Sequence, residues 1–417
     1  MNLFKRASQH IKCRKHDYSS KKKRLDVIQK NTMLLLMPYL PPPVCGGSGV
    51  FIREIFKRFP KGEVTALVGL RDQKEGTFID GNMTVHRLKK LFLPLKGFSK
   101  SGKLKYILSY IKEVLIFNQN RVFSYCVCGE YFPGGFAALL LNLFYGVPYF
   151  IVFHGEDIYK ISGLRKELLK VIIFFAKGFI ANSENTKRLI ERFNMRRPIF
   201  VCRPCVDHNL YIPCSNIELV RKDLGLTSEK IILTVARLLP RKGHKFAISA
   251  LKEIIKKYPD TNLIIIGQDF GYSDAIYDFI DKCELHDKVF LKGAVSDEEL
   301  VKYYQASDVF VMVSDTGTYH DDLEGFGITF LEASACEKPV IAGNTGGMPE
   351  AVEDGVTGFL VDHNNLNKFS SIIQNLLENP QESTKIGKAG RARVLKSFDY
   401  NDRSLQIRNQ LIGLLSQ

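Results

Sequence analysis

From residue 33 onward, short apolar runs alternate with amphipathic stretches. That rhythm predicts βα units over a parallel sheet, because strands buried on both faces read as continuous apolar segments. In the first half the runs fall at 33–37, 64–68, 83–88, 122–127, 148–153, 178–181 and 198–201. Between them the spacing predicts helices such as 101–117, where Leu104, Ile107, Leu108, Ile111, Val114 and Leu115 repeat at i, i+3, i+4 and i+7 and belong on one face. The alternation restarts with runs at 231–235, 263–266, 289–291, 309–313, 339–341 and 358–361. Near 203–228 it breaks, with Pro204 and Pro213 followed by a polar helix, so a domain boundary belongs there. The expectation is a basic arm at 1–30, a Rossmann-like domain at 31–205, a second at 206–398, and a last helix at 399–417 packing back on the first domain. Two such α/β domains would face each other across a cleft, with ligands beyond the carboxyl ends of their strands.

Composition adds little to this picture. With 45% hydrophobic and 25% charged residues, the 417-residue chain reads as ordinary globular protein, so function has to come from motifs. Charge adds more. Ten of the net +15 chain's basic side chains lie in residues 1–30 against Asp17 and Asp26, a head of +8. No apolar stretch there is long enough for a signal-peptide core, so a cytosolic protein is expected. The arm reads as a solvated tail, as a contact for anionic lipid, or as a nucleic-acid contact. Phe4 and Tyr18 are its only aromatic residues, which disfavours binding of single-stranded nucleic acid. Prolines and glycines interrupt 31–52, and Gly146 with Pro148 divides 132–155 into a short helix and a strand, so neither supplies the ~20-residue apolar helix of a bilayer span. Nine cysteines, an odd number scattered over predicted strands and helices, argue for a reducing compartment. Cys202, Cys205, His208 and Cys214 have zinc-like spacing, but alternation along a strand points Cys202 and Cys205 to opposite faces, so structural cysteines are expected there and no metal.

Three segments carry candidate chemistry. After the first strand, VCGGSGVF opens a helix with Gly46, Gly47 and Gly49, where backbone N–H groups can approach an anion. It fits neither the dinucleotide nor the P-loop fingerprint, and a plain tight turn is an equal reading. After the strand at 231–235, ARLLPRKGHKF places Arg237 and Lys242 around a turn, where cations can meet a diphosphate. In EGFGITFLEASA, Glu324 and Glu332 stand eight residues apart. A helix starting near Gly327 puts Glu332 in its second turn and leaves Glu324 in the loop. The two carboxylates then reach different parts of one ligand and cannot act as a side-by-side pair. A second glycine turn, Gly346-Gly347, follows the next strand.

Taken together, GGSG, FHGEDI, ANSENTKRLI, ARLLPRKG, EGFGITFLE and TGGMPEAVEDGVTGFLV, in this order over roughly 31–400, resemble the retaining nucleotide-sugar glycosyltransferases of family four, which have the GT-B fold. The region around Glu324 is most similar to bacterial mannosyltransferases that use GDP-mannose, including those acting on phosphatidylinositol mannosides. The resemblance implies that Arg237 and Lys242 hold the donor diphosphate and that Glu332 binds the ribose hydroxyls. It puts Glu324, Gly325, Phe326, Gly327 and Ile328 at the transferred sugar, Gly46 and Gly47 at the distal phosphate or acceptor side, and His154 near the reacting carbon. Where the family usually carries glycine in its linker turn, this chain has Cys205 in RPCVD. It also lacks an Asp-x-Asp motif, so neither metal nor cofactor is expected beyond the donor itself.

For the acceptor, the resemblance implies a lipid-linked or polysaccharide hydroxyl. Residues 87–105, with seven basic residues and none acidic, interleaved with Leu91, Phe92, Leu93, Leu95 and Phe98, fit an anionic membrane surface or a loop beside a cleft, and 163–180 offers a second such surface or plain core. The expectation is therefore a cytoplasmic hexosyltransferase of cell-envelope polysaccharide synthesis, peripheral on the inner face of the plasma membrane and without a nucleic-acid partner. The alternatives are a UDP- or ADP-sugar transferase with a soluble acceptor, and a silent relative that only binds nucleotide sugar.

Overall fold

The computed structural model describes residues 31–41, 46–69, 75–88, 100–119, 121–314 and 323–417, with the backbone alone at 100–105. The basic arm and residues 89–99 lie outside the described residues. Two compact units result. Among the described residues the first comprises 31–182, 186–202 and 401–417, and the second 183–185 and 203–400.

The first unit holds β1 (Met33–Met37), α1 (Gly47–Phe56), β2 (Val64–Gly69), β3 (Gly76–Asp80), β4 (Met83–Leu88), α2 (Lys100–Gln119), β5 (Tyr125–Cys128), α3 (Phe136–Tyr145), β6 (Tyr149–Phe153), α4 (Gly163–Phe175), β7 (Gly178–Ala181), α5 (Glu184–Glu191) and β8 (Ile199–Val201). Its strands run in the order β3-β4-β2-β1-β5-β6-β7-β8. All neighbours are parallel except β3, which turns back on β4. The expected strands appear because β1, β5, β6 and β7 are buried along their whole length. β3 escaped the sequence reading because GTFID is an edge strand largely open to solvent, with no apolar run to betray it. It pairs along its length with β4 across the Gly81-Asn82 turn, and its Asp80 carboxylate accepts from Arg53 Nε at 2.6 Å and Nη2 at 2.9 Å on α1.

Helix α2 corrects one expectation. Leu108 is 58% exposed, whereas the buried positions are Tyr106, Tyr110, Ile111, Val114 and Asn118, so Ile111 and Val114 of the expected stripe face inward and Leu108 does not. Tyr106 and Tyr110, whose rings bury more area each, take the rest of the inner face. Helix α4 is split: Leu169, Ile172 and Ile173 are buried, whereas Leu164, Val171, Phe174 and Phe175 are exposed.

The second unit holds α6 (Ile217–Asp223), β9 (Lys230–Val235), α7 (His244–Ile254), β10 (Thr261–Ile266), α8 (Ser273–Cys283), β11 (Val289–Gly293), α9 (Asp297–Ala306), β12 (Val309–Met312), α10 (Ile328–Ala335), β13 (Val340–Gly343), α11 (Met348–Ala351), β14 (Gly358–Val361), α12 (Leu366–Glu378) and α13 (Pro380–Ser397). Its six strands are all parallel, in the order β11-β10-β9-β12-β13-β14. Ile232, Leu263, Val309 and Val311 of the sheet pack with Ala247, Leu251 and Ile254 of α7 and Phe369 and Ile373 of α12 in one core. Residues 247, 251 and 254 recur at i, i+4 and i+7, so α7 buries one stripe. Strand order reverses beside β1 in the first unit and beside β9 in the second, the positions where open α/β sheets bind ligands.

The division falls at Cys202/Arg203, three residues before the expected boundary. The Cys202 N–H still donates to Ala181 O in the first sheet, whereas Arg203 Nε donates to Glu350 Oε2 at 2.8 Å in the second unit. Asn185 N–H reaches Glu350 Oε1 at 3.0 Å and draws 183–185 the same way. At the other end His208 Nε2 lies 3.0 Å from Asp399 Oδ2, so 399 and 400 group with the second unit. From Asn401 the final helix, α14 (Tyr400–Leu415), belongs to the first: Ser404 Oγ donates to Ile55 O and Arg408 Nε to Glu63 Oε2. Cys205 is buried without a positive φ, so this turn needs no glycine. Among the described residues no helix is long and apolar enough to cross a membrane.

Candidate functional site

In the second unit, three loops at the carboxyl edge of the sheet meet around one carboxylate. After β9 the chain forms a short 3-10 turn, Pro240–Lys242, whose Arg241 and Lys242 side chains are buried. Gly243 follows at φ 75°, and a Cβ there would stand 2.1 Å from Val313 O. Only glycine lets this turn press against the end of β12.

The second loop is 323–327. Gly327 caps α10, which places Glu332 in the second turn and Glu324 before the helix, as the spacing predicts. The third loop holds the second in position. Gly347 N–H donates to Glu324 O at 2.9 Å, and a Cβ on Gly347 would lie 1.9 Å from Gly325 O. The Gly346-Gly347 turn therefore packs directly on the backbone that carries Glu324.

The Glu324 carboxylate accepts from Arg241 Nη1 at 3.1 Å and from Lys242 Nζ. Burial works to raise its pKa, but the two cations prevail and hold it at about 2. Burial, with Arg241 and Arg237 nearby, pushes the Lys242 ammonium down, against the pull of Glu324. Lys242 and Glu324, expected at separate parts of a ligand, are thus bonded to each other. Arg241, which the sequence reading passed over, is the third member. Its signal was present in the PRKG turn, where both basic residues follow Pro240. Arg237, whose charge also acts on Lys242, has its guanidinium carbon 5.7 Å from the Phe270 ring centre.

Glu332 has a different environment. Its Oε2 accepts from the Tyr304 hydroxyl at 2.7 Å, and Tyr211 is a second phenol donor to it. No cation offsets its burial, which pushes the carboxyl up to about 7. Nearby in sequence, the Ser314, Thr329 and Thr345 hydroxyls are buried without a partner. Phe326 is buried with its ring 6.0 Å from Phe398, while Gly325 and Ile328 flank it in the loop and the first helical turn.

In the first unit, Gly46 has φ 112° and its carbonyl accepts from Gly49 and Val50, so part of the amide array at the start of α1 is used internally, while Gly47 is exposed. His154 follows β6. Its Nε2 lies 3.2 Å from Gly129 O, its ring meets Phe51 edge-on at 6.3 Å, and burial lowers its pKa, so the imidazole is neutral near pH 7. Cys202, Cys205, His208 and Cys214 do not converge. His208 meets Asp399, Cys205 Sγ contacts Arg203 O and Cys214 Sγ contacts Gln305 O. Among the described residues no group of side chains is arranged to hold a metal.

Comparison with known proteins decides the family. Residues 45–210 match the model of Glycosyltransferase Family 4, and 216–393 that of glycosyl transferases group 1. A GDP-mannose-dependent monoacylated alpha-(1-6)-phosphatidylinositol monomannoside mannosyltransferase of Corynebacterium glutamicum is 33% identical over 62% of this chain and 68% of its own length. The chain belongs to glycosyltransferase family four. A mannosyltransferase of Mycolicibacterium smegmatis, named for alpha-(1-6)-phosphatidylinositol monomannoside, is also 33% identical, over 50% of this chain. There the chain spans about half of the relative, 55%. Sucrose-phosphate synthase of Thermosynechococcus elongatus has the same GT-B fold, with TM-score 0.79 and 21% identity over 93% of this chain and all of that one.

Proposed function

We propose that this chain transfers a hexose from a nucleotide sugar, mannose from GDP-mannose in the first instance, to a hydroxyl of a lipid-linked or polysaccharide acceptor, with retention at the sugar carbon. The observation that carries the reading is the convergence of Arg241 and Lys242 on Glu324 at the carboxyl end of β9. Breaking the sugar–phosphate bond builds negative charge on the departing diphosphate, and cations fixed beforehand where that charge develops lower the barrier. Glu324 keeps the two cations gathered in a buried turn, and Arg237 adds a third nearby. We assign Arg237 and Lys242 to the diphosphate and Glu324 with the 325–328 backbone to the transferred sugar. Glu332 takes the ribose hydroxyls, and Gly46, Gly47 and His154 serve the acceptor side. With no nucleophile assigned, retention implies front-face attack by the acceptor hydroxyl. The protein's own cations fill the place of a metal. The names of relatives at 33% identity support mannose and a lipid acceptor. The exposed Leu164, Val171 and Phe174 on a helix that also carries Arg165, Lys166 and Lys170 support a peripheral place on an anionic membrane.

Thermal stabilisation by a panel of GDP-mannose, UDP-glucose and ADP-glucose tests the reading. A donor at 100 times its Kd adds about 2.7 kcal/mol to the state that binds it. GDP-mannose is expected to stabilise most. Preference for UDP- or ADP-glucose moves the reading to a soluble-acceptor transferase, and no stabilisation by any of the three overturns it.

A further inference from the structure

Two carboxylates of the first unit are not used by the roles assigned above. Glu130 and Asp157 stand in the loops that follow the adjacent parallel strands β5 and β6, beside the switch point next to β1. The bond between His154 Nε2 and Gly129 O ties these loops together. Asp157 Oδ1 is held by the N–H groups of His154 at 3.2 Å and Gly155 at 3.0 Å. Its Oδ2 is buried without a partner. Glu130 follows the same plan. The Gly134 N–H donates to its carboxylate, whereas Oε1 is buried without a partner.

A third group marks the place independently. The Tyr110 hydroxyl, on a residue with 0% exposure, has no partner. A Cβ on Gly134 would stand at ordinary contact distance from that hydroxyl, 3.6 Å, and from Glu130 Cγ, 3.7 Å, so both side chains border the same place. Buried polar atoms are almost always hydrogen-bonded, and three unpartnered oxygens on two tied loops and the neighbouring helix need an explanation.

We propose that Glu130 and Asp157 bind vicinal hydroxyls of a sugar-like acceptor, Asp157 Oδ2 accepting from one hydroxyl while Glu130 engages the oxygen of its neighbour. The proposal rests on the transferase reading and names the acceptor side of it. Burial, and then the charge of Asp157, push the Glu130 carboxyl to about 8. Near neutrality it keeps its proton and donates. Burial followed by Glu156 puts Asp157 at about 7, so it is the easier of the two to ionise and the natural acceptor. A neighbouring diol, with one O–H to give and one oxygen to offer, matches a donor and an acceptor side by side. Each carboxylate spends one oxygen on the loop backbone, which fixes the direction of the other.

Amide substitution separates binding from support. Asp157→Asn keeps an oxygen for the His154 and Gly155 amides but turns the free acceptor into a donor. Glu130→Gln keeps an oxygen for Gly134 and leaves a donor where the protonated acid had one. With octyl α-D-mannopyranoside as acceptor and the full-length chain, Asp157→Asn should raise the acceptor KM tenfold or more, or about 1.4 kcal/mol. Glu130→Gln should stay within threefold and Glu130→Ala should lose tenfold. Donor KM and donor hydrolysis without acceptor should stay within twofold in all three. An unchanged acceptor KM overturns the proposal, and so does an equal fall of hydrolysis and transfer. If the wild-type protein turns over no sugar nucleotide, calorimetric binding of the same glycoside decides. Binding lost in Asp157→Asn sustains the diol site while the transferase reading fails. Binding unchanged by Asp157→Asn, or absent from the wild type, overturns the site itself.

Discussion

Replacing Glu332 by glutamine should stabilise the free protein, and more so as pH rises. The carboxyl has no cation beside it, and burial pushes it from an ordinary 4.5 to about 7. The folded state therefore holds its proton more tightly than the unfolded chain. Stability linked to that proton is fully present below pH 4.5 and is lost as pH rises through about 7. At about 1.36 kcal/mol per pKa unit, the difference reaches roughly 3 kcal/mol at pH 8 and stays under about 1 kcal/mol at pH 5. Glutamine does not titrate, yet its carbonyl still accepts from Tyr304, so the substitution removes the charge and keeps the packing. For a unit of this size about 1 kcal/mol moves the melting midpoint by roughly 2–4 °C. The advantage of Glu332→Gln over the wild type should therefore grow by about 4–8 °C between pH 5 and pH 8, measured by differential scanning fluorimetry of the full chain without donor. A difference independent of pH would refute the argument, because it would mean that Glu332 titrates alike in folded and unfolded protein. Adding GDP-mannose should narrow the gap, since the ribose hydroxyls assigned to Glu332 solvate the charge only where a carboxylate is present.

Lys242→Ala should lower kcat by about 10²–10³, the usual loss for a donor aimed at developing charge, and near-normal turnover would remove it from the diphosphate. Arg237→Ala should act similarly and non-additively with it, as expected when two cations serve one group. Activity should survive EDTA, because the cationic work is assigned to protein side chains, and a loss restored by Mg²⁺ or Mn²⁺ would contradict that assignment. Binding to anionic vesicles should weaken steeply with salt, and deletion of residues 1–30 should reduce it without abolishing it; equal affinity for neutral vesicles would leave the basic arm a solvated surface.

The sheets were legible because their strands are apolar along whole runs, and a continuous run announces itself without knowledge of its neighbours. Edge strand β3 has no such run; its local signal is the Gly81-Asn82 turn that folds it back on β4, while the pair that ties it to α1, Arg53 with Asp80, is distant in sequence. Likewise Arg203 and Asn185 meet Glu350 across long stretches of sequence, and that is why the division of the units came three residues early. The E-x7-E block revealed the positions of both carboxylates relative to α10, since helix geometry follows from spacing alone. It could not reveal their partners. Arg241, Tyr304 and Tyr211 reach them from other loops and helices, and Asp157, although inside FHGEDI, shows its unpartnered oxygen only once the backbone of its own loop has claimed the other.

Those partners are what set the two glutamates apart. Both are removed from water, and burial alone would protonate both. Glu324 meets two cations and stays ionised to about pH 2, so its charge is already compensated before any ligand arrives. Glu332 meets only phenol hydroxyls, and at about 7 it stands near the point of ionisation. A ligand that brings hydroxyls gains most from the second carboxylate, because neutral donors supply what its surroundings lack. A ligand that brings an anion gains from the first site, where it can share the cations that Glu324 has gathered. In the roles proposed above, the diphosphate and the ribose of a sugar nucleotide make opposite demands, and the surroundings of the two carboxylates differ in the same sense because different elements pack around each.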